Sequence, residues 1–544
     1  MKTNSAQKLS VLAGLLALSG STAFAQPAAA PAAAARGGGR GARGGAPAAT
    51  APLTVESLTT ALTLTEAQAA TIKPLLDQIT QAQEDVNTKQ AKAAELRSNF
   101  NTQLASIFTP VQKTGVAVAD LLGTYDDHEF MKAQLGITGP LRAGARGSAV
   151  NDPNYANYDE TKAHSKTPVP PLLAMADGRP ITTAAMWEQR RKELFEIFDR
   201  ELYGRLPAAA KTIKVTWEVT NTTQGMNGTI PIITRTLVGH VDPTYYPAIT
   251  INIGASVTTP ANAAGKVPVI MLWGGGGGSW APEALAKGWG YGSINPGSIQ
   301  ADSGGMALRQ GIIGLINKGQ PRKPDDWGAL RAWAWGAGKL IDFFETDNLV
   351  DAKQVAFEGH SRYGKATLAT LVYEPRAFTG FVSSSGEGGA KLWRHLVGEQ
   401  VENLASWNTP SSEYHWMAGN FLKYAGPLTV EDLPVDNHQF VALVAPRPIF
   451  VSGGEYIEFN GAPGHPESHY SGESWQDTPG TFMATAGASP VWKLLGKKAL
   501  SNDALNLHFD VVPDAYDVLK RMPPPLTPLI DGDIAFRQHD KGHT

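Results

Sequence analysis

The stretch Val355-Ala356-Phe357-Glu358-Gly359-His360-Ser361-Arg362-Tyr363-Gly364-Lys365-Ala366 constrains this chain more than any other. A short apolar run ends in Gly-His-Ser, and a helix-forming run from Lys365 to Tyr373 follows at once. The pattern predicts a strand, a sharp turn and a helix, with a serine at the apex. Such a turn lifts a hydroxyl clear of a sheet and aims a helix N-terminus toward it. Gly359 and Gly364 would relieve crowding around the turn. Ser361 is thus a candidate nucleophile, and hydrolysis of an acyl compound is the chemistry to test against the rest of the chain.

The 544 residues allow two or three domains. With 42% hydrophobic and 18% charged residues, a large core is available. A net charge of −3 gives no general attraction to nucleic acid or to an anionic membrane. The chain has no cysteine, which removes disulfides, thiolate metal sites and a cysteine nucleophile together. Scattered histidines without thiolates argue against a metal site. No cofactor is expected. Trp273-Gly274 to Gly278-Ser279 lacks the Lys-Ser/Thr ending of a nucleotide-binding loop, so a backbone-lined oxyanion or substrate loop is the natural reading.

Lys2 and Lys8 precede the apolar run Leu9 to Leu18, and Ala23-Phe24-Ala25 offers a cleavage site. Residues 1–25 read as a signal peptide, too short for a stable span, so a periplasmic or secreted protein with no membrane anchor after cleavage is expected. Residues 26–52, rich in Ala, Pro, Gly and Arg, read as a linker. Residues 53–113 read as helical, starting near Thr65, with Pro74 expected to break or bend the first helix. The strings Leu64-Thr65-Glu66-Ala67-Gln68 and Phe108-Thr109-Pro110-Val111-Gln112 resemble the repeats of small helical periplasmic stress proteins; a plain helical spacer is the preferred reading.

From about 150 the texture changes. Trp187, Leu194, Phe198 and Leu202 fall on one helical face, with Gly204 placed to close the helix. Strands are expected at 212–220, 230–239, 247–253, 267–273, Ile312–Ile316, Val355–Phe357, Phe381–Ser384, Ile449–Ser452 and Ile534–Phe536. Trp327, Leu330, Ala334, Ala337, Ile341 and Phe344 mark an amphipathic helix. Antiparallel strands followed by β-α alternation predict a mostly parallel sheet with helices on both faces, and with the serine elbow the expected fold is that of an α/β-hydrolase. In that order, serine, acid, histidine, the base follows the last strand, where His539 and His543 both lie.

The chain resembles bacterial glucuronoyl esterases, carbohydrate esterase family fifteen, from about 125 to 544. The resemblance is carried by Asn157-Tyr158-Asp159-Glu160, Glu201-Leu202-Tyr203-Gly204-Arg205 and Gly359 to Lys365. It continues in Ser385-Gly386-Glu387-Gly388-Gly389-Ala390, Gly398 to Asn403, Tyr414-His415-Trp416, Leu433 to His438, Ala445-Pro446-Arg447-Pro448 and Ser489 to Lys498. It implies cleavage of esters between xylan glucuronate and lignin alcohols, so the implied partner is a glucuronoxylan or lignin-carbohydrate ester. Ser361 would be the nucleophile and Arg362 an oxyanion donor, while Lys365, Glu399 and Trp475 would contact the sugar. Ser384 stands where many relatives carry the acid. Glu473, in Glu473-Ser474-Trp475-Gln476-Asp477, is the favoured acid, and Glu455, directly after a strand, the alternative. His543 fits the Gly-x-His ending better than His539. His415 and His438 are expected to be structural. The alcohol and the oligomeric state are left open.

Overall fold

The structure is a computed structural model. It describes residues 64–83, 125–145, 156–158, 162–163, 165–275, 278–406, 413–454, 474–500, 528–529 and 533–539, with isolated helical residues between 55 and 106. Glu455, Glu473, His543, the N-terminal 1–52 segment and the Phe108–Gln112 string lie outside the described residues. The chain divides into two compact units, 1–125 and 126–544.

In the first unit, one helix runs Glu66–Gln83. Thr65 starts it as expected: its backbone N–H donates to Gln68 Oε1 at 2.9 Å, and Gln68 N–H donates back to Thr65 Oγ1 at 3.3 Å. Pro74, however, sits inside this helix and does not end it. Pro74 and Ala70 are both exposed, so the carbonyl left without its helical donor is open to water.

The second unit is built on one ten-stranded sheet. Its strands are β1 (Val215–Asn227), β2 (Ile230–Val241), β3 (Asn252–Pro260), β4 (Val267–Trp273), β5 (Gly290–Ile294), β6 (Val350–His360), β7 (Thr379–Ser383), β8 (Ile449–Gly453), β9 (Pro528–Leu529) and β10 (Ile534–Gln538). Their spatial order is β1-β2-β3-β5-β4-β6-β7-β8-β10-β9. The run from β5 to β10 is parallel, and antiparallel pairs flank it on both sides. β6 carries a continuous buried run, Val355-Ala356-Phe357, as a strand covered on both faces must.

The 184–198 helix starts at Thr183, whose side chain accepts from Met186 N–H. It widens into a π turn at Asp199–Tyr203 and stops at Gly204, with φ 87°. A Cβ on Gly204 would lie 2.3 Å from Asp326 O, so glycine is required for chain approach as well as for φ. The Ala329–Thr346 helix is buried on nearly every face rather than along one stripe, so it lies within the fold. It packs against the Arg362–Tyr373 helix and β6.

Two expectations fail. Ile312–Ile316 is not a strand: Gly311–Ile316 forms a short helix, all of whose apolar residues are buried. A short apolar run looks alike in both states. Here Gln300 Oε1 accepts from Ile313 N–H at 3.1 Å, satisfying a first-turn donor that the sequence pattern cannot reveal. The strand expected at 247–253 starts later, at Asn252, and runs to Pro260, paired with β2 through the register His240–Asn252 to Ile232–Pro260.

Candidate active site

β6 ends at His360, and the next helix begins at Arg362. Ser361 between them has φ 60° and ψ −129°, a conformation that costs a non-glycine residue roughly 1–3 kcal/mol. Two close approaches hold it there. A Cβ on Gly359 would sit 2.1 Å from Tyr363 O, and one on Gly364 2.5 Å from Ser383 O. Ser361 N–H donates to Ser383 O at 3.0 Å, tying the turn to the end of β7. The Gly-rich loop after β4 also comes here: a Cβ on Gly274 would lie 2.7 Å from the Tyr363 ring.

Lys365, in the first turn of the 362–373 helix, is buried. Its Nζ donates to Glu399 Oε2 at 2.9 Å and to Glu387 O at 2.6 Å. Glu399 Oε2 also accepts from Glu387 N–H at 2.9 Å, and Glu399 N–H donates to Trp475 O at 2.9 Å. The Trp416 ring lies beneath both neighbouring cations, 5.5 Å from Arg362 Cζ and 5.4 Å from Lys365 Nζ. Ser361, Arg362, Lys365, Glu399 and Trp475 are therefore linked in one region.

A second buried layer lies behind the Lys365–Glu399 pair. Lys391, fully buried, pairs with Glu387 Oε1 at 3.1 Å and stands 3.6 Å from Asp477 Oδ2. Asp477 caps the Thr478–Ala488 helix through Gly480 N–H and lies 2.6 Å from His395 Nδ1. Burial pushes the Glu387 carboxyl well up, against the pull of Lys391. This cluster fixes the Asp477 end of the Ser474–Asp477 turn, and the Glu399 N–H holds its Trp475 carbonyl. Glu387, Lys391 and His395 recur every four residues along the loop that follows β7, but Asp477, which joins them, comes from a segment 82 residues beyond His395, and local spacing does not announce that contact.

Of the two post-strand histidines, His539 is described. It directly follows β10, donates its N–H to Gly453 O at 2.9 Å, and has Nε2 3.0 Å from Ser384 Oγ. Both Ser384 and its neighbour Ser383 are buried, and Ser383 Oγ lies 3.1 Å from both His360 Nδ1 and Ser452 Oγ. His438 is structural, with Nε2 3.0 Å from Pro170 O and burial lowering its pKa to about 4. His415 hydrogen-bonds Asp302 at 2.9 Å. Asp302 was not found by sequence reasoning: a single carboxylate in a loop carries no pattern. Among the described residues no group of three acidic or histidine side chains is arranged to hold a metal ion.

The sheet order and the strained elbow define an α/β-hydrolase, and its relatives are carboxylic ester hydrolases. A profile described as glucuronyl esterase, fungi, matches residues 247–477. A family 15 glucuronoyl esterase from Teredinibacter turnerae T7901 is 37% identical, covers 77% of this chain and 95% of its own, and superposes with a TM-score of 0.65. Carbohydrate esterase MZ0003, from an unknown prokaryotic organism, is 29% identical over 393 residues, 64% of this chain and 83% of that protein. A 4-O-methyl-glucuronoyl methylesterase of Hypocrea jecorina is 26% identical over 290 residues, which span 52% of this chain and 55% of that protein. The chain belongs to carbohydrate esterase family 15, the glucuronoyl esterases.

Proposed function

We propose that this protein is an exported serine esterase that hydrolyses 4-O-methyl-glucuronoyl esters, the bonds joining xylan glucuronate to lignin alcohols. The observation that carries the reading is the elbow serine set one helical turn from the buried Lys365–Glu399 pair. An acyl-transfer nucleophile there adjoins fixed polar groups suited to sugar hydroxyls.

In this mechanism Ser361 Oγ attacks the ester carbonyl while a histidine takes its proton. The tetrahedral oxyanion receives the Arg362 backbone N–H and guanidinium. The imidazolium protonates the departing alcohol, and water then cleaves the acyl-enzyme to release glucuronate. His543 is the base favoured here for its Gly-x-His-like ending, and His539, whose Nε2 lies 3.0 Å from Ser384 Oγ, is the alternative. Glu473 is the favoured acid: it immediately precedes the turn whose Trp475 carbonyl is bonded by Glu399. Trp475 and Lys365 would face the sugar, with Glu399 fixing Lys365.

Export rests on the basic, apolar and Ala-x-Ala signals of residues 1–25. No helix among the described residues is long and apolar enough to cross a membrane. The deciding assay compares methyl 4-O-methyl-glucuronate with a simple acetate ester. Strong preference for the glucuronate is expected. Equal or better turnover of the acetate would instead favour an acetyl esterase, and no turnover of either a binding protein.

A further inference from the structure

Asp302 lies in the loop between β5 and the Gly311–Ile316 helix. Its two oxygens do different things. Oδ2 accepts from Arg362 Nη1 at 2.7 Å. Oδ1 accepts from Trp416 Nε1 at 2.6 Å and lies 2.9 Å from His415 Nε2. The carboxylate grips the Tyr414–Trp416 turn with one oxygen and the guanidinium with the other.

The turn in its own right grips the loop. Tyr414 OH accepts from Gly305 N–H at 2.7 Å. A Cβ on Gly304 would sit 2.6 Å from the Tyr414 ring, so the loop runs flush against it. Burial alone would raise the Asp302 pKa, but the His415 hydrogen bond and the charges of His415 and Arg362 override it and hold it well below the usual carboxylate range. The group is therefore anionic throughout the working range of an esterase.

An exposed ion pair usually contributes little, because two long side chains must be ordered to make it. This pair differs. Asp302 is short and already fixed by an indole and an imidazole, so only Arg362 remains to be ordered. A guanidinium has five N–H donors, and Asp302 takes one of them. Donors to an oxyanion act best when fixed before the charge appears, since no reorganisation is then needed.

We propose that Asp302, braced by His415 and Trp416, is a positioning residue that holds the Arg362 guanidinium ready for the oxyanion. This rests on Arg362 being an oxyanion donor. Asp302 touches neither substrate nor reacting atoms; it acts through Arg362.

The test uses the full chain with Asp302→Asn, Asp302→Ala, Arg362→Ala and the Asp302→Ala/Arg362→Ala double variant on methyl 4-O-methyl-glucuronate. Asp302→Asn keeps size and an acceptor for Trp416, so it guards against a failure to fold, checked by the unfolding temperature. Both Asp302 variants are expected to lower kcat about tenfold or more while KM stays within about twofold. Arg362→Ala should lose about a hundredfold or more in kcat. In the double variant the Asp302 change should add less than about twofold, because its target is gone. Additive losses, or a change in KM alone, would overturn the positioning role with the Arg362 reading intact. An undiminished kcat in Arg362→Ala would instead overturn the Arg362 reading, and Asp302 with it.

Discussion

Lys365 and Glu399 form an ion pair at 2.9 Å in which both side chains are only 2% exposed. Their desolvation has already been met on folding, so removing one partner strands the other. Lys365→Met should lower stability by roughly 3–5 kcal/mol and depress kcat/KM on a glucuronate ester. Lys365→Met/Glu399→Gln should regain most of the stability without regaining activity. Denaturant midpoints beside rates separate the two effects. A single variant as stable as the parent would show that the pair is not what holds this region.

Ser361→Ala should fold and lose turnover by several orders of magnitude. Ser361→Gly should be equally inactive yet more stable than the alanine variant by about 1 kcal/mol, because glycine carries no penalty at φ 60°. Residual esterase activity in purified Ser361→Ala would place the nucleophile elsewhere.

Glu473→Ala should be far more damaging than Glu455→Ala, and His543→Ala than His539→Ala. A carboxylate that orients the imidazole can contribute up to about four orders of magnitude. His539→Ala should cost some stability through its bond to Ser384. Rates of the four variants on one glucuronate ester rank the pairs, and a dead Glu455→Ala beside a healthy Glu473→Ala would reverse the acid.

His438 is neutral in the folded protein, its pKa lowered by burial from 6.5 to about 4. The unfolded chain binds the proton first as pH falls, so stability declines from about pH 6.5 downward until the folded group also titrates near 4. A shift of that size is worth roughly 3 kcal/mol. Unfolding temperatures between pH 7 and 4 should fall less steeply in His438→Asn. Parallel profiles would assign the acid sensitivity to other groups.

Removal of residues 27–113 should leave kcat/KM on small esters within about twofold, because the hydrolase unit begins at Asp126 with its own core. A folded truncation without activity would show that the first unit contributes to the site.

Much of this architecture was legible in the sequence. The elbow was readable because one local pattern, apolar run to Gly-x-Ser to helix, specifies strand, turn and helix together. Gly204 and Thr65 were readable for the same reason: each is required by a local backbone need. Ile312–Ile316 was not, since its helix depends on Gln300, thirteen residues from Ile313. Asp302 escaped because its meaning comes from Arg362, His415 and Trp416, which lie 60 to 114 residues away. The Glu387–Lys391–Asp477–His395 cluster was hidden likewise, its members being ordinary charged residues until the loops bring them together.

The pairing of each site cation with a carboxylate bears on how the reaction ends. An ester enters without charge, but its acyl half leaves as an anion. Arg362 and Lys365, alone, would form an electrostatic trap for that product, deepest in the poorly screened interior. Asp302 and Glu399 cancel both charges at 2.7 and 2.9 Å. In the proposed mechanism the two cations keep their directional N–H donors while each charge is balanced by its own carboxylate, so the newly made carboxylate would meet less long-range pull on its way out.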